Sequence, residues 1–501
     1  MLNGQADCQF RMNEQEMNEV ASFCAPLIIR GEIIENADIE FGGRNLGIRF
    51  TAPDVSRHLD KLPLAAPAAL SDLHALEFEE IVQFLSRLGQ RLDFDSNPYL
   101  QQAFRASQLT SGLAPSILEN CYRTLHRAFD AETVRQQGDC CLGRDNLDGW
   151  AKFRNVGNYT LHVRAFGARS LHIIAGNVPG VSALTIVRNA VTRSDMIIKT
   201  PSNDPLTAAA IARTMIDMAP DHPITRHVSV GYWKGGDTAI EEALYRPSII
   251  EKIIAWGGLA SIKHIARYIQ PGIDLITLDP KLSGTIIGSD AFTDETTMRD
   301  VAARLAFDVG AYNQQACVSA RVAYIQTGTD ADGLKKAHQF GELLFDAIQA
   351  LPATISAPAP RLSPELADEI DGLRYVEDLY SVFGGDGRGA VIVSHESEPV
   401  DFADMLNERV VNLVPVDDIS RATRATNAYT QTIGIYPDAL VPEIRDALAF
   451  QGVQRLVTLG HAPTPPVIGP ADGIEPLRRM VKWVMHEVYD HRQGAEASAK
   501  V

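Results

Sequence analysis

Between about residue 165 and residue 285, short runs rich in β-branched and aliphatic residues alternate with longer stretches of helical character. The runs SLHIIAG, DMIIKT, RHVSVGYW, SIIEKIIAW and DLITLD read as strands, while PLTAAAIARTMIDM, SIKHIARYI and the Ser/Leu/Val segment after the first strand read as helices. Strands separated by helices pair side by side only through crossovers, so the pattern calls for a parallel sheet. A sheet of this kind binds dinucleotides beyond the carboxyl ends of its strands. A second series, with TTMRDVAARLAFDVGAY, ARVAYIQ, LKKAHQFGELLFDAI, GAVIVS and VVNLVPV, runs from about 286 to 435. The expected fold class is α/β, with two such domains and a cleft between them.

The flanking segments divide the chain further. Residues 1–74 read as an N-terminal extension with short strands, since PLIIRGEIIENADIEFGGRNLGIRF (26–50) alternates apolar and polar positions around glycine pairs. Residues 75–285 form the dinucleotide-binding domain, opening with an amphipathic helical stretch in LSDLHALEFEEIVQFLSRLGQRL, and residues 286–435 form the catalytic domain. Residues 436–501 form a return segment: a strand in GVQRLVTLG, a Pro/Gly-rich loop HAPTPPVIGPADG, a terminal helix over IEPLRRMVKWVMHEVYD and a frayed end. The segments 26–50 and 452–460, both rich in strand formers, are expected to pair or pack across subunits of a homo-oligomer.

Composition narrows the function. A net charge of −17 repels phosphates, which excludes nucleic acid or an anionic membrane surface as a main partner. No apolar run approaches the roughly 20 residues of a membrane span. The first residues, MLNGQADCQFRMNEQEMNEV, lack the basic and apolar regions of a signal peptide, so a cytoplasmic location is expected. The six cysteines include no CxxC or CxxH spacing, which argues against a disulfide scaffold and against a metal site. Adjacent Cys140 and Cys141 read as structural.

Four clusters have the residue types that chemistry needs. Cys317, in AYNQQACVSAR, sits between a helix and a strand, where local dipoles are expected to lower its pKa and yield a nucleophilic thiolate. Asn177, in AGNVPG, follows a strand, and its amide can donate to a developing oxyanion. Lys199 and Ser202, in IIKTPSNDP, lie between a strand end and a helix and can hold ribose hydroxyls and a phosphate. Gly235 in GYWKGGD and Gly257 and Gly258 in AWGGLAS let backbone N–H groups approach a pyrophosphate. Taken singly, each cluster is equally a buried thiol, a turn asparagine, a helix cap or a turn glycine.

Their joint order resembles the aldehyde dehydrogenase superfamily: an Asn turn, Lys-Thr-Pro-Ser, two glycine turns, LITLD, then Asn-Gln-Gln-Ala-Cys, over residues from about 75 to 460. Within it, GNVPG, ACVSAR, GVQRLVTLG and DGIEPLRRMVKW resemble the LuxC-type acyl-CoA reductases, the fatty-acid reductase subunit of bacterial bioluminescence and its relatives. The resemblance implies an aldehyde-dehydrogenase-like fold, two Rossmann-type α/β domains plus a small β-containing oligomerisation region. It implies Cys317 as nucleophile, Asn177 as oxyanion donor, and Lys199, Ser202, Gly235, Gly257 and Gly258 as cofactor ligands. The implied reaction reduces a fatty acyl thioester, on CoA or delivered by an acyl-transferring or acyl-activating protein, to the aldehyde through acyl-Cys317. Two positions depart from the superfamily pattern. Asp279 stands where hydrolytic members carry a glutamate, and its shorter side chain with Pro280 behind it disfavours water activation. Ser202 stands where NAD-preferring relatives carry a glutamate on the ribose, which favours NADPH while leaving NADH usable. The alternatives are a hydrolytic aldehyde dehydrogenase and a catalytically silent assembly subunit.

Overall fold

The computed structural model describes residues 23–42, 49–156, 159–278, 281–359 and 362–489, with backbone alone at 154–156. The alternating segments fold as two seven-stranded sheets. The first has the spatial order Asp274–Leu278, Lys252–Trp256, Arg169–Ile173, Asp195–Lys199, Val228–Gly231, Leu27–Ile29, Glu32–Ile34. Its first five strands are parallel, and the two N-terminal strands complete it antiparallel. Successive side chains on a strand point to opposite faces. Met196 and Ile198 accordingly join one core with Val187 and Ile211, while Ile197 joins another with Leu171 and Ile253. Each such side chain, fully buried, contributes about 1.5–3 kcal/mol, which is why these strands read as continuous apolar runs.

The N-terminal strands are fastened by charge as well as by pairing. Arg30, just after Leu27–Ile29, donates to the buried carboxylate of Asp195, and His227 lies 2.8 Å from the same carboxylate. Burial opposes ionisation there, but Arg30 and His227 outweigh it and hold the Asp195 pKa below its ordinary value.

The second sheet runs Tyr380–Gly384, Ala390–Ser394, Val410–Pro415, Ala320–Ile325, Leu282–Ile287, Thr430–Tyr436, Arg455–Thr458. All neighbours are parallel except the first pair. Again the two faces alternate: Val391 and Val393 enter one core and Ile392 another.

The C-terminal segment corrects the expected terminal helix. Only Pro476–Met480 is helical, and Lys482–Tyr489 is a strand paired antiparallel with Tyr159–Phe166, which also pairs with Ala151–Val156. Leu477, Met480, Val481, Val484 and Val488 fit helical spacing as well as a strand's β-branched content. The open edge of Tyr159–Phe166, whose backbone groups need partners, decides between them. This three-stranded sheet exposes Phe153 and Met485 at 71% and 56%. The frayed end expected at the C-terminus lies outside the described residues.

Candidate active site

Ile173, Lys199, Gly231 and Ala255 stand side by side across four parallel strands of the first sheet. The turns that follow these strands therefore leave from one rim, and they carry Asn177, Ser202, Gly235, Gly257 and Gly258. Strand order reverses between Arg169–Ile173 and Lys252–Trp256, the place where a doubly wound sheet opens a crevice. At this rim the Lys199 ammonium lies 5.8 Å and 5.6 Å from the ring centroids of Tyr232 and Trp233, within cation–π range. Ser202 is half-buried in the turn before the helix Thr207–Met218. Asp204 binds the first turn of that helix through Thr207, and burial pushes its carboxyl up to about 6.

Gly258 immediately precedes the helix Leu259–Ala266, and a Cβ added at Gly258 or Gly235 would meet no atom within 4 Å. One at Gly257 would come 3.4 Å from Ser261. Open space before free helix-terminal N–H groups, with a cation on the same rim, fits a dinucleotide's phosphates. The glycine turn at 235–236 also has a structural tie, since the Gly236 N–H donates to the buried Glu241 at 2.9 Å.

The segment that carries Cys317 is held differently. After the helix Glu295–Gly310 and Ala311 come three consecutive non-glycine residues with positive φ: Tyr312 at 55°, Asn313 at 48° and Gln314 at 63°. Each costs about 1–3 kcal/mol and persists only where surrounding structure enforces it. The buried Asn313 amide donates to the Ala357 carbonyl at 2.8 Å and accepts from its N–H at 2.9 Å. Buried Gln314 donates to the carbonyls of Ala320 (2.7 Å) and Val410 (2.8 Å) and accepts from the Val410 N–H (3.0 Å). Beyond this clamp the Cys317 carbonyl accepts from Ser283 Oγ at 2.7 Å, and Ser283 accepts in turn from the Thr432 N–H at 3.2 Å.

The two halves meet at Asn177. Its side-chain amide donates to the Gln315 carbonyl at 3.1 Å, two residues before Cys317. Asn203 donates to the Gly176 carbonyl at 3.0 Å, joining the Lys199 loop to the Asn177 turn. A Cβ at Gly176 would lie 2.3 Å from Asn203 Oδ1, so glycine leaves the room that the Asn203 side chain occupies.

Cys317 is open to solvent, yet protein mass around it raises the thiol pKa above its ordinary value. Both are properties of a residue on the floor of a cleft. Burial is the largest cause; a hydrogen bond from Gln431 and the local backbone N–H groups lower the pKa in part, and the Asp472 charge raises it further. The expected thiolate is thus corrected: local dipoles act in the anticipated direction, and desolvation exceeds them. Arg321 and Arg455 also lie within electrostatic reach of the sulfur. Asp279 lies outside the described residues.

Gln431 and Asp472 were not among the sequence candidates. The Asp-Gly dipeptide in PADG is a turn signal, but nothing in it says which element the turn meets.

A family model described as Acyl-CoA reductase (LuxC) matches residues 73–483. The chain is similar to a long-chain acyl-protein thioester reductase of Vibrio harveyi, 28% identical over 475 residues, with 92% of this chain and 93% of the relative covered. It is 32% identical over 346 residues to the protein of that name from Photorhabdus luminescens, with 68% of each covered. Among solved structures, aldehyde dehydrogenase 21 from Physcomitrella patens superimposes with a TM-score of 0.70 at 14% identity, covering 94% of this chain and 99% of that one. Lactaldehyde dehydrogenase from Escherichia coli gives 0.67 at 16% identity, with 94% and 100% covered. These likenesses establish the aldehyde-dehydrogenase-like fold.

Proposed function

Because the chain belongs to the acyl-CoA reductase (LuxC) family, we propose that it reduces a fatty acyl thioester to the aldehyde through an acyl group carried on Cys317. The observation that carries this reading is the hydrogen bond from the Asn177 amide to the Gln315 carbonyl, which brings the candidate oxyanion donor to the segment that carries Cys317. In the first half-reaction the Cys317 sulfur bonds to the acyl carbon and the substrate's carbon–sulfur bond breaks. The thiol proton leaves on the departing thiol, which is CoA or the thiol of a delivering protein. Asn177 stabilises the oxyanion in between. Lys199, Ser202, Gly235, Gly257 and Gly258 would hold NADPH, which would supply the hydride when bound. Collapse of the thiohemiacetal on Cys317 breaks its carbon–sulfur bond, releases the aldehyde and returns the sulfur for protonation from solvent.

Three finer statements accompany this reading. Ser202 in place of an acidic residue leaves room for a 2′-phosphate, with Lys199 as a nearby cation, so NADPH is the preferred reductant and NADH the weaker one. Among the described residues no helix is long and apolar enough to cross a membrane, and the enzyme works in the cytoplasm. Exposed Phe153 and Met485 on the three-stranded sheet suit burial against a second copy of the chain.

The decisive experiment is intact-protein and peptide mass spectrometry after incubation with acyl-CoAs of graded chain length, without reductant. An acyl adduct on Cys317, absent from Cys317→Ser, is expected. Aldehyde production by Cys317→Ser at a substantial rate would sink the assignment.

A further inference from the structure

Asp472 and Gly473 are the central residues of a two-residue turn. Ala471 and Ile474 exchange backbone hydrogen bonds of 2.9 Å and 3.0 Å across it, and both central residues have positive φ, 52° and 76°. Positive φ at both central positions marks a type I′ turn, which Asp-Gly suits. The turn rests on the second sheet: a Cβ at Gly473 would touch Gln454, whose N–H donates to the Gln431 carbonyl at 3.2 Å.

At the turn's tip the Asp472 carboxylate accepts a hydrogen bond from the Gln431 side-chain nitrogen. Gln431 is 7% exposed, and its side-chain oxygen is buried with no hydrogen-bond partner. An amide so placed has nothing on its oxygen to fix which way it faces. An ionised carboxylate only accepts, so it draws the nitrogen and repels the oxygen, selecting one of the two orientations. The other hydrogen of that nitrogen remains to be donated.

We propose that Asp472 is a positioning residue for the nucleophile: its carboxylate locks the Gln431 amide so that the remaining N–H is offered to the Cys317 sulfur as its proton leaves. Gln431 and Asp472 act on the thiol in opposite senses, the hydrogen bond favouring the thiolate and the carboxylate charge opposing it. Arg188, from the helix Gly180–Val191 of the first domain, lies within electrostatic reach of Asp472. Among the described residues Arg321 and Arg455 also lie within electrostatic reach of the sulfur, themselves neighboured by Asp404 and Asp308. The consequence for catalysis rests on the reading of Cys317 as the acylated residue.

The test is the pH dependence of iodoacetamide alkylation at the Cys317 peptide of the full chain, read by mass spectrometry beside the single-turnover acylation rate. Gln431→Leu should move the alkylation midpoint up by about one pH unit and slow acylation about tenfold, the effect of one hydrogen bond to a charged atom. Asp472→Ala should move it up, although a repelling charge has gone, because the amide is released. Asp472→Asn, which removes the charge and can pair with the amide in either orientation, should leave the midpoint between those of the wild type and Asp472→Ala. A downward shift in both Asp472→Ala and Asp472→Asn would show the carboxylate to be a charge and nothing more, and would overturn the proposal. So would an unmoved midpoint in Gln431→Leu. If the midpoints shift as stated while the wild type forms no acyl adduct, the functional reading fails and the positioning stands.

Discussion

The rim that holds Lys199, Gly235 and Gly258 is shaped chiefly by backbone: parallel strands ending in register, open glycine positions and a helix terminus. The segment that holds Cys317 is shaped by side chains reaching across the sequence, with Gln314 bonded to Val410, Asn313 to Ala357 and Ser283 to the Cys317 carbonyl. A dinucleotide's phosphates need only N–H groups at a strand-to-helix turn, so local chain geometry is enough. A nucleophile must stand within fractions of an ångström of its oxyanion donor, and that demands a strained segment held by partners from several elements. The one direct bond described from the Asn177 turn to the nucleophile segment, the Asn177 amide on Gln315, is where the comparison is most exposed to test.

The largest expected effect is therefore at Asn177. Asn177→Ala should slow single-turnover acylation roughly 10²- to 10³-fold while the NADPH dissociation constant, measured by fluorescence titration, stays near wild type. A rate within a factor of three would mean that the two regions do not cooperate at this amide.

Next comes stability. Gln314→Leu removes three hydrogen bonds in the interior, leaving the Val410 N–H with the Asn407 carbonyl at 3.1 Å, and should cost about 3 kcal/mol in a urea titration. Gly235→Ala, at an open position of negative φ, should cost less than about 1 kcal/mol. Equal costs would erase the distinction between a side-chain-built and a backbone-built half.

Each half also holds a buried carboxyl whose pKa burial raises, and here the two should behave alike. Burial pushes Asp204, beside the cofactor loop, and Asp308, which accepts from the Gly460 and Ala462 N–H groups, up to about 6 from 3.8. At these two groups the folded chain therefore binds more protons than the unfolded chain between about pH 4 and 6, so their contribution to stability falls as pH rises through that window, by at most about 3 kcal/mol per group. His74 and His172, lowered by burial to about 4 and about 3, act in the opposite sense, since the unfolded chain protonates them first as pH falls. Removing either acid should therefore make the denaturant midpoint climb more steeply with pH: Asp204→Asn and Asp308→Asn should each raise the slope across about pH 4–7 relative to wild type. A slope untouched by both would show that neither acid is raised by burial.

The smallest effect concerns the cofactor alone. Ser202→Glu adds a carboxylate beside the adenosine ribose and should shift the NADPH-to-NADH ratio of kcat/KM roughly ten- to hundred-fold toward NADH, about 1–3 kcal/mol. An unchanged ratio would remove Ser202 from the ribose.

Much of the fold was legible because its signals are local. The run DMIIKT became the strand Asp195–Lys199, and SLHIIAG became Arg169–Ile173 with its asparagine turn beyond. Cys317, the proposed nucleophile, was singled out by its place in the motif order. What holds it was not: Gln431 and Asp472 are 41 residues apart, and Asn177 and Gln315 are 138 apart, so no window of sequence contains either pair.

The sequence by itself determined which segments alternate between period 2 and period 3.6, and hence the parallel sheets, the rim and the order of the motifs along it. Tertiary structure decided three matters. Lys482–Tyr489 became a strand because an open sheet edge was waiting for it. The Cys317 thiol is raised because desolvation depends on what surrounds a residue, not on what precedes it. The carboxylate that governs the Gln431 amide arrives on a turn whose chemistry is visible in two letters, but whose destination depends on how both domains pack. Propensity is a property of neighbours in the chain, whereas burial and electrostatic reach are properties of neighbours in space.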